Sequence, residues 1–262
     1  TVDDGSCEYC ELGDVNCDGI INVLDVVTLV NIIMDDGEYT EYGDLNGDGY
    51  LNILDVVQLV NLILDGASVC EGVEDIDGNC YETIQIGEQL WMAENLKVTH
   101  YNNGEEIPNI TNNGDWSGLS SGAYGDYDNN PTNSETYGRL YNWYTFDDDR
   151  GVCPEGYHIA SDEEFMELEM YLGMSEEEAN STGWRGTDEG SQLAGNSDLW
   201  NDGVLVNNPE VGTSGFNVLP AGYCDYFSGN YMSMGSFGYF WSSSEINSPD
   251  AWTRELHYGL ST

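Results

Sequence analysis

Two stretches of this chain carry oxygen-bearing residues at a fixed spacing. In the first, Asp14, Asn16 and Asp18 stand at positions 1, 3 and 5 of a twelve-residue loop. Gly19 follows at position 6, where the chain must turn sharply. Ile20 offers its carbonyl at position 7, Asn22 stands at 9 and Asp25 at 12. The second stretch repeats the pattern 30 residues later, with Asp44, Asn46, Asp48, Gly49, Tyr50, Asn52 and Asp55. The spacing suits a hard cation that takes six to eight oxygen ligands, and it predicts two calcium sites. Both copies carry Asp at position 12, where Glu is usual, so the following helix must sit closer to the ion. A single DxNxDG would be no more than an Asx-rich turn. Two copies in register, each running into an amphipathic helix, mark a duplicated ion-binding unit.

The elements that position these ligands are legible in the same lines, GDVNCDGIINVLDVVTLVNIIMDDG and GDLNGDGYLNILDVVQLVNLILDG. The periodicity predicts a helix from Val23 to Met34, with Val23, Val26, Val27, Val30 and Ile33 as its core stripe and Asp35-Asp36-Gly37 as its end. A second helix is predicted from Ile53 to Leu64, stopped by Asp65-Gly66. Each alone buries too little, so the two are expected to pack on each other. The whole of residues 12–66 resembles a type I dockerin module. That resemblance implies that loop positions 10 and 11 contact a cohesin; here they are Val23, Leu24, Ile53 and Leu54, all apolar. Such a face either docks a protein or packs on the next domain of the same chain. The module's place ahead of a large domain favours the second, which would make it a rigid, calcium-locked joint.

The 262 residues suffice for two cores, one of about 55 residues and one of about 180. With 40% hydrophobic residues the chain is globular in composition. No apolar run reaches 18 residues, so no transmembrane segment is expected, and the first residues do not read as a leader. Five Lys and Arg face 49 Asp and Glu, for a net charge of −44. Two calcium ions would offset little of this, so most of the acidity belongs to a solvated surface. Nucleic acid and anionic membranes are excluded as partners. The seven cysteines lack His at zinc-ligand spacing, and beside a calcium module they point to disulfides and a secreted, extracellular or cell-surface setting. Cys70 with Cys80 closes a short loop; Cys153 with Cys224 is a further candidate. Cys7, Cys10 and Cys17 leave one thiol over.

Residues 1–11, TVDDGSCEYCE, resemble the end of short VDDGSC-type repeats of large secreted bacterial surface proteins. Residues 67–72 read as a linker, and a larger domain follows over 73–262. Its start, YETIQIG behind a turn at Asp77-Gly78-Asn79, predicts a β-hairpin. Asp75, Asp77 and Asn79 mimic a third calcium loop but lack Gly at position 6 and an acid at 12. Residues 102–135 are rich in Asn, Gly and Ser and read as a long surface loop; Trp116 is the Trp best placed there for a sugar or partner contact, with packing the favoured role. Gly138 to Tyr144 reads as core. Ser161 with Glu164 forms a capping box that opens a helix facing inward through Phe165, Leu168 and Leu172. Strands are expected at Phe216–Leu219, Tyr223–Phe227, Gly238–Ser243 and Ala251–His257.

The ordered blocks DIDGNCYETIQIGEQLWMAENLK, YGRLYNWYTFDDDRGVCPEGYHIASDEEFMELEMYLG, SGFNVLPAGY and GYFWSSSE…AWTREL resemble the Fibrobacter succinogenes major paralogous domain over about residues 73–256. The resemblance implies a secreted bacterial domain without assigned activity and a C-type-lectin-like α+β fold. The family pattern continues past AW-x-R-x-L through further strands, which this sequence lacks. The fold class expected for the whole is therefore α+β: a small all-α pair of calcium loop–helix units plus a larger mixed domain. Catalysis is not expected, since there is no G-x-S-x-G elbow and no phosphate-binding glycine loop, and any acid pair is uninformative among so many. The expected function is that of a calcium-stabilised, non-catalytic extracellular structural protein, a subunit or segment of a bacterial surface assembly or fibril. Its expected partners are copies of itself or other surface proteins. The alternative is a docking module for a cohesin-like domain, or an adhesin for a glycan.

Overall fold

The computed structural model describes residues 10–35, 37, 39–64, 70, 72–247 and 250–262. Asp3, Asp4 and Cys7 of the opening repeat lie outside the described residues, as do Asp65-Gly66 and most of the 67–72 linker. The chain divides between Val69 and Cys70 into two compact units.

The first unit contains two helices, α1 (Val23–Met34) and α2 (Ile53–Leu64), the spans the periodicity predicts. Each begins inside its loop, because the loop's position-9 Asn serves as helix N-cap. The Asn22 side chain accepts from the Leu24 N–H, and Asn52 does the same for Leu54, both at 2.8 Å. In α1 this is a full capping box, with Asp25 reaching back to the Asn22 N–H. The two helices pack around Leu29 and Leu59, which have no solvent exposure, with Val15 and Val56 beside them. The loops contribute too, through Leu45, Ile21 and Leu51. The core stripe of α1 differs from the sequence expectation. Val23 and Val27 are exposed, whereas Val26, Leu29, Val30 and Ile33 face inward. Both sets are apolar at helical spacing, so periodicity alone could not choose between them; the loop's entry angle does.

The second unit is mixed α+β and built from paired short strands. β1 (Val73–Glu74) pairs with β2 (Cys80–Tyr81), β3 (Thr83–Ile86) with β4 (Gln89–Met92), and β5 (Tyr124–Gly125) with β6 (Leu140–Tyr141). β7 (Tyr223–Cys224) pairs with β8 (Tyr231–Met232), and the long β9 (Phe237–Asn247) with β10 (Asp250–His257). All five pairs are antiparallel. The Asp77–Asn79 turn therefore joins β1 to β2, and YETIQIG supplies β3 of the next hairpin. Phe216–Leu219 forms only an isolated bridge, between Val218 and Ala194, and the Tyr223–Phe227 strand stops after Cys224.

Two cores fill this unit. One gathers Ile86, Phe165, Leu168, Trp200, Leu205, Val218 and Leu256. The helix Asp162–Leu172 delivers Phe165 and Leu168, starts at the Ser161–Glu164 capping box and ends at Gly173, whose φ of 130° suits glycine. The other core holds Val98, Tyr101, Ile107, Tyr124, Tyr141 and Val152. Residues 102–135 are not a bare surface loop. They contain a helical turn at Asn113–Trp116, strand β5 and the helix Pro131–Tyr137. Ile107, Trp116 and Tyr124 are buried there. Trp116, at 5% exposure, is a packing residue and not a sugar platform.

The cysteines are only partly as expected. Cys70–Cys80 is bonded, and Cys10 is bonded to Cys17, a pair the spacing left open. Cys153 and Cys224 are free thiols, contrary to the pairing expected of them. Burial pushes both thiols up, Cys153 to about 11 and Cys224 to about 12, so neither is an activated nucleophile.

Every cationic side chain of the chain lies in this unit and is spent on a carboxylate. Lys97 meets Glu94 at 2.7 Å, Arg139 meets Asp126 at 2.5 Å, and Arg150 bridges Asp148 and Glu105 at 2.6 Å each. Arg185 and Arg254 grip the buried Glu169 from both sides, at 2.8 and 2.7 Å, and Arg254 also reaches Asp162 at 2.7 Å.

Candidate metal centre

Both loops fold around their first and last carboxylates. In the first, the Asp18 N–H donates to Asp14 Oδ1 at 3.1 Å and the Gly19 N–H to Asp14 Oδ2 at 2.9 Å. Asp25 accepts from the Asn16 N–H at 3.1 Å and the Asn22 N–H at 2.8 Å. Asn16 Oδ1 takes a second bond from the Asp18 N–H, and Asp18 Oδ1 accepts from Ile20. The second loop repeats these bonds at equivalent atoms. Asp48 and Gly49 donate to Asp44 at 3.2 and 2.9 Å, and Asn46 and Asn52 donate to Asp55 at 3.3 and 2.9 Å. Gly19 and Gly49 both have φ of 83°, the left-handed turn that position 6 demands. The backbone therefore curls each loop around its first and last carboxylates.

Position 4 also requires positive φ. The second loop meets it with Gly47 at 69°, the first with Cys17 at 57°. The Cys10–Cys17 disulfide holds that residue in place. The second loop has its own addition in Tyr39, whose hydroxyl donates to Asp44 Oδ2 at 2.8 Å. This hydrogen bond, ahead of the loop's own N–H donors, holds the Asp44 carboxyl below the ordinary carboxylate value. Sequence reasoning missed both features. The mismatch between Cys17 and Gly47 in otherwise matched copies was the available signal for the first; Tyr39 lies outside the repeat.

Asp14, Asp25, Asp44 and Asp55 are buried, two of them completely. No Lys, Arg or His occurs anywhere before Lys97. Buried carboxylates are costly unless a positive charge accompanies them, and the first unit holds no such side chain. Among the described residues no three acid, His or Cys side chains converge into a metal cluster by themselves. The donor set is instead mixed: Asp and Asn side chains with the carbonyls of Ile20 and Tyr50. That composition fits a hard cation, which takes neutral amide and carbonyl oxygens beside a few carboxylates. The Asp75 turn does not offer the same. It lacks the position-6 glycine and the position-12 acid, and its Asp77 turns away to Thr99 and His100.

Val23, Leu24, Ile53 and Leu54, at positions 10 and 11 of the two loops, are each more than half exposed. The chain thus joins an all-α unit of two cation-type loops, each running into a helix with an apolar start, to a larger α+β unit built on paired strands. Residues 84–260 match the Fibrobacter succinogenes major domain, and the chain belongs to that family. Residues 12–64 match the Dockerin type I domain, a module that binds calcium and docks onto cohesins. No curated protein and no solved structure matches the chain.

Proposed function

We propose that this chain is a non-catalytic extracellular protein whose N-terminal module, ordered by two calcium ions, docks onto a cohesin-type partner and brings the larger domain into a bacterial surface assembly. The ions would be held by Asp14, Asn16, Asp18, Ile20, Asn22 and Asp25 in the first loop. Asp44, Asn46, Asp48, Tyr50, Asn52 and Asp55 would hold the second. Calcium supplies the positive charge that lets the loop carboxylates stay buried, and it fixes where each helix begins. The observation that carries the reading is the duplicated exposed face. Val23 and Leu24 are 65% and 56% exposed, and their counterparts Ile53 and Leu54 are 67% and 58% exposed. Burying one such side chain in a partner contributes about 1.5–3 kcal/mol, so the four together suit a real interface.

The experiment is capture of the full chain on an immobilised cohesin with calcium and with EDTA. Retention in calcium, release by EDTA and loss in the Leu24→Asp/Leu54→Asp double variant are expected. Equal retention of that variant, or none of the native chain, would overturn the docking face. A fibril built from copies of this chain would instead show as calcium-dependent sedimentation of the purified protein alone. A charge of −44 opposes that contact unless cations bridge it.

A further inference from the structure

The larger unit contains a cleft of about 910 Å³ with an aromatic floor. The β9–β10 register sets Tyr239 opposite Glu255 and Trp241 opposite Thr253. Positions two apart share one face of a strand, so these four side chains form a patch, and all four line the cleft. Tyr223 from β7 stands edge-on to Tyr239, with ring centroids 5.2 Å apart at 72°. Farther in, Trp91 meets Phe216 at 5.2 Å.

The polar tips of Trp241, Trp91 and Tyr223 are already used, while the Tyr239 hydroxyl has no hydrogen-bond partner among the described residues. The Trp241 indole N–H donates to the Tyr141 carbonyl at 3.1 Å, and that of Trp91 to Gln89 Oε1 at 3.3 Å. The Tyr223 hydroxyl points to the sulfur of Met232 at 3.7 Å. The cleft therefore presents the negative faces of rings more than their hydrogen-bond donors. Glu255 has no hydrogen-bond or ion-pair partner among the described residues, and all five cationic side chains are committed to other carboxylates. Burial pushes the Glu255 carboxyl up and, with the Glu255 charge beside it, the Tyr239 phenol to about 12. A carboxylate without a counter-charge beside ring faces repels anions and attracts a weakly hydrated cation.

We propose that this cleft binds a small alkylammonium ion, seated against Tyr223, Tyr239 and Trp241 with Glu255 as its counter-charge. The site is independent of the calcium loops and of the docking face. Trp91 and Trp241 line it, so tryptophan fluorescence reports occupancy, and calorimetry on the full chain in calcium gives the affinity. The probes are choline, its uncharged isostere 3,3-dimethylbutan-1-ol, and cellobiose. Choline is expected to bind saturably and more tightly than the isostere. Glu255→Gln and Tyr239→Leu are each expected to weaken choline by about 3- to 30-fold. Glu177→Gln, on an exposed helical turn outside the cleft, is expected to leave choline binding unchanged. Near-ultraviolet circular dichroism of both cleft variants checks that they fold, and Glu255→Gln alters an exposed side chain. Equal affinity for choline and the isostere would overturn the proposal in favour of a plain apolar pocket. Binding of cellobiose without choline would make the cleft a sugar site. An equal loss in Glu177→Gln would reduce the effect to the general acidic field. No binding by any probe at millimolar concentration would end it.

Discussion

Asp25 and Asp55 have no solvent exposure and accept only backbone N–H groups, so each is a buried charge that a cation bound by its loop would offset. Asp25→Ala is expected to remove one of two calcium equivalents in a calorimetric titration, and Asp25→Ala with Asp55→Ala to remove both. Gly49 isolates the backbone requirement of the loop. A Cβ there would meet nothing within 4 Å, so Gly49→Ala is expected to cost only the left-handed conformation, about 1–2 kcal/mol in a calcium-loaded melt. Asp77 gives a pH dependence. Burial alone would raise its carboxyl, but the Thr99 and His100 donors overcome this and hold it below the ordinary value. A depressed folded pKa stabilises above the unfolded value of about 3.9 and is lost as pH falls through the folded pKa. Melts of the native chain and of Asp77→Asn should therefore converge in acid and separate above it. A constant gap down to about pH 2 would rule out this role for the ionised group.

At the scale of elements, the paired helices and the Arg–Glu–Arg cluster are the places to test packing. Leu29→Ala is expected to cost about 2–5 kcal/mol, since Leu29 is fully enclosed between α1 and α2. Glu169→Gln leaves Arg185 and Arg254 facing a neutral group and is expected to cost about 3–5 kcal/mol, read from the denaturant midpoint of the second unit. The same elements show what was legible in the residues. Helical periodicity is local, so the spans of α1 and α2 could be placed from spacing. So could the Ser161 capping box and the Cys70–Cys80 bond. The inward face of α1 could not, because Val23, Val27 and Leu29 are equally apolar. The burial of Trp116 depends on partners far along the chain. So do the free state of Cys153 and Cys224 and the union of Tyr223, Tyr239 and Glu255 in one cleft. No local pattern encodes such contacts.

The whole molecule combines a module of a calcium-binding type with a domain whose Lys and Arg are all paired to carboxylates. EDTA is expected to lower the melting transition of the first unit while leaving that of the second in place. A single transition unmoved by chelation would contradict the calcium assignment. The confinement of every Lys and Arg to ion pairs beyond residue 96 has a further consequence, for digestion. A trypsin-type protease has no cleavage point in the calcium module at all. Its few points in the larger domain are side chains already held by carboxylates, two of them gripping a buried glutamate. The native chain should therefore resist such proteases in proportion to the stability of the larger domain, whether or not calcium is bound. Enzymes that cut after apolar residues would find α1 and α2 as soon as the ions leave.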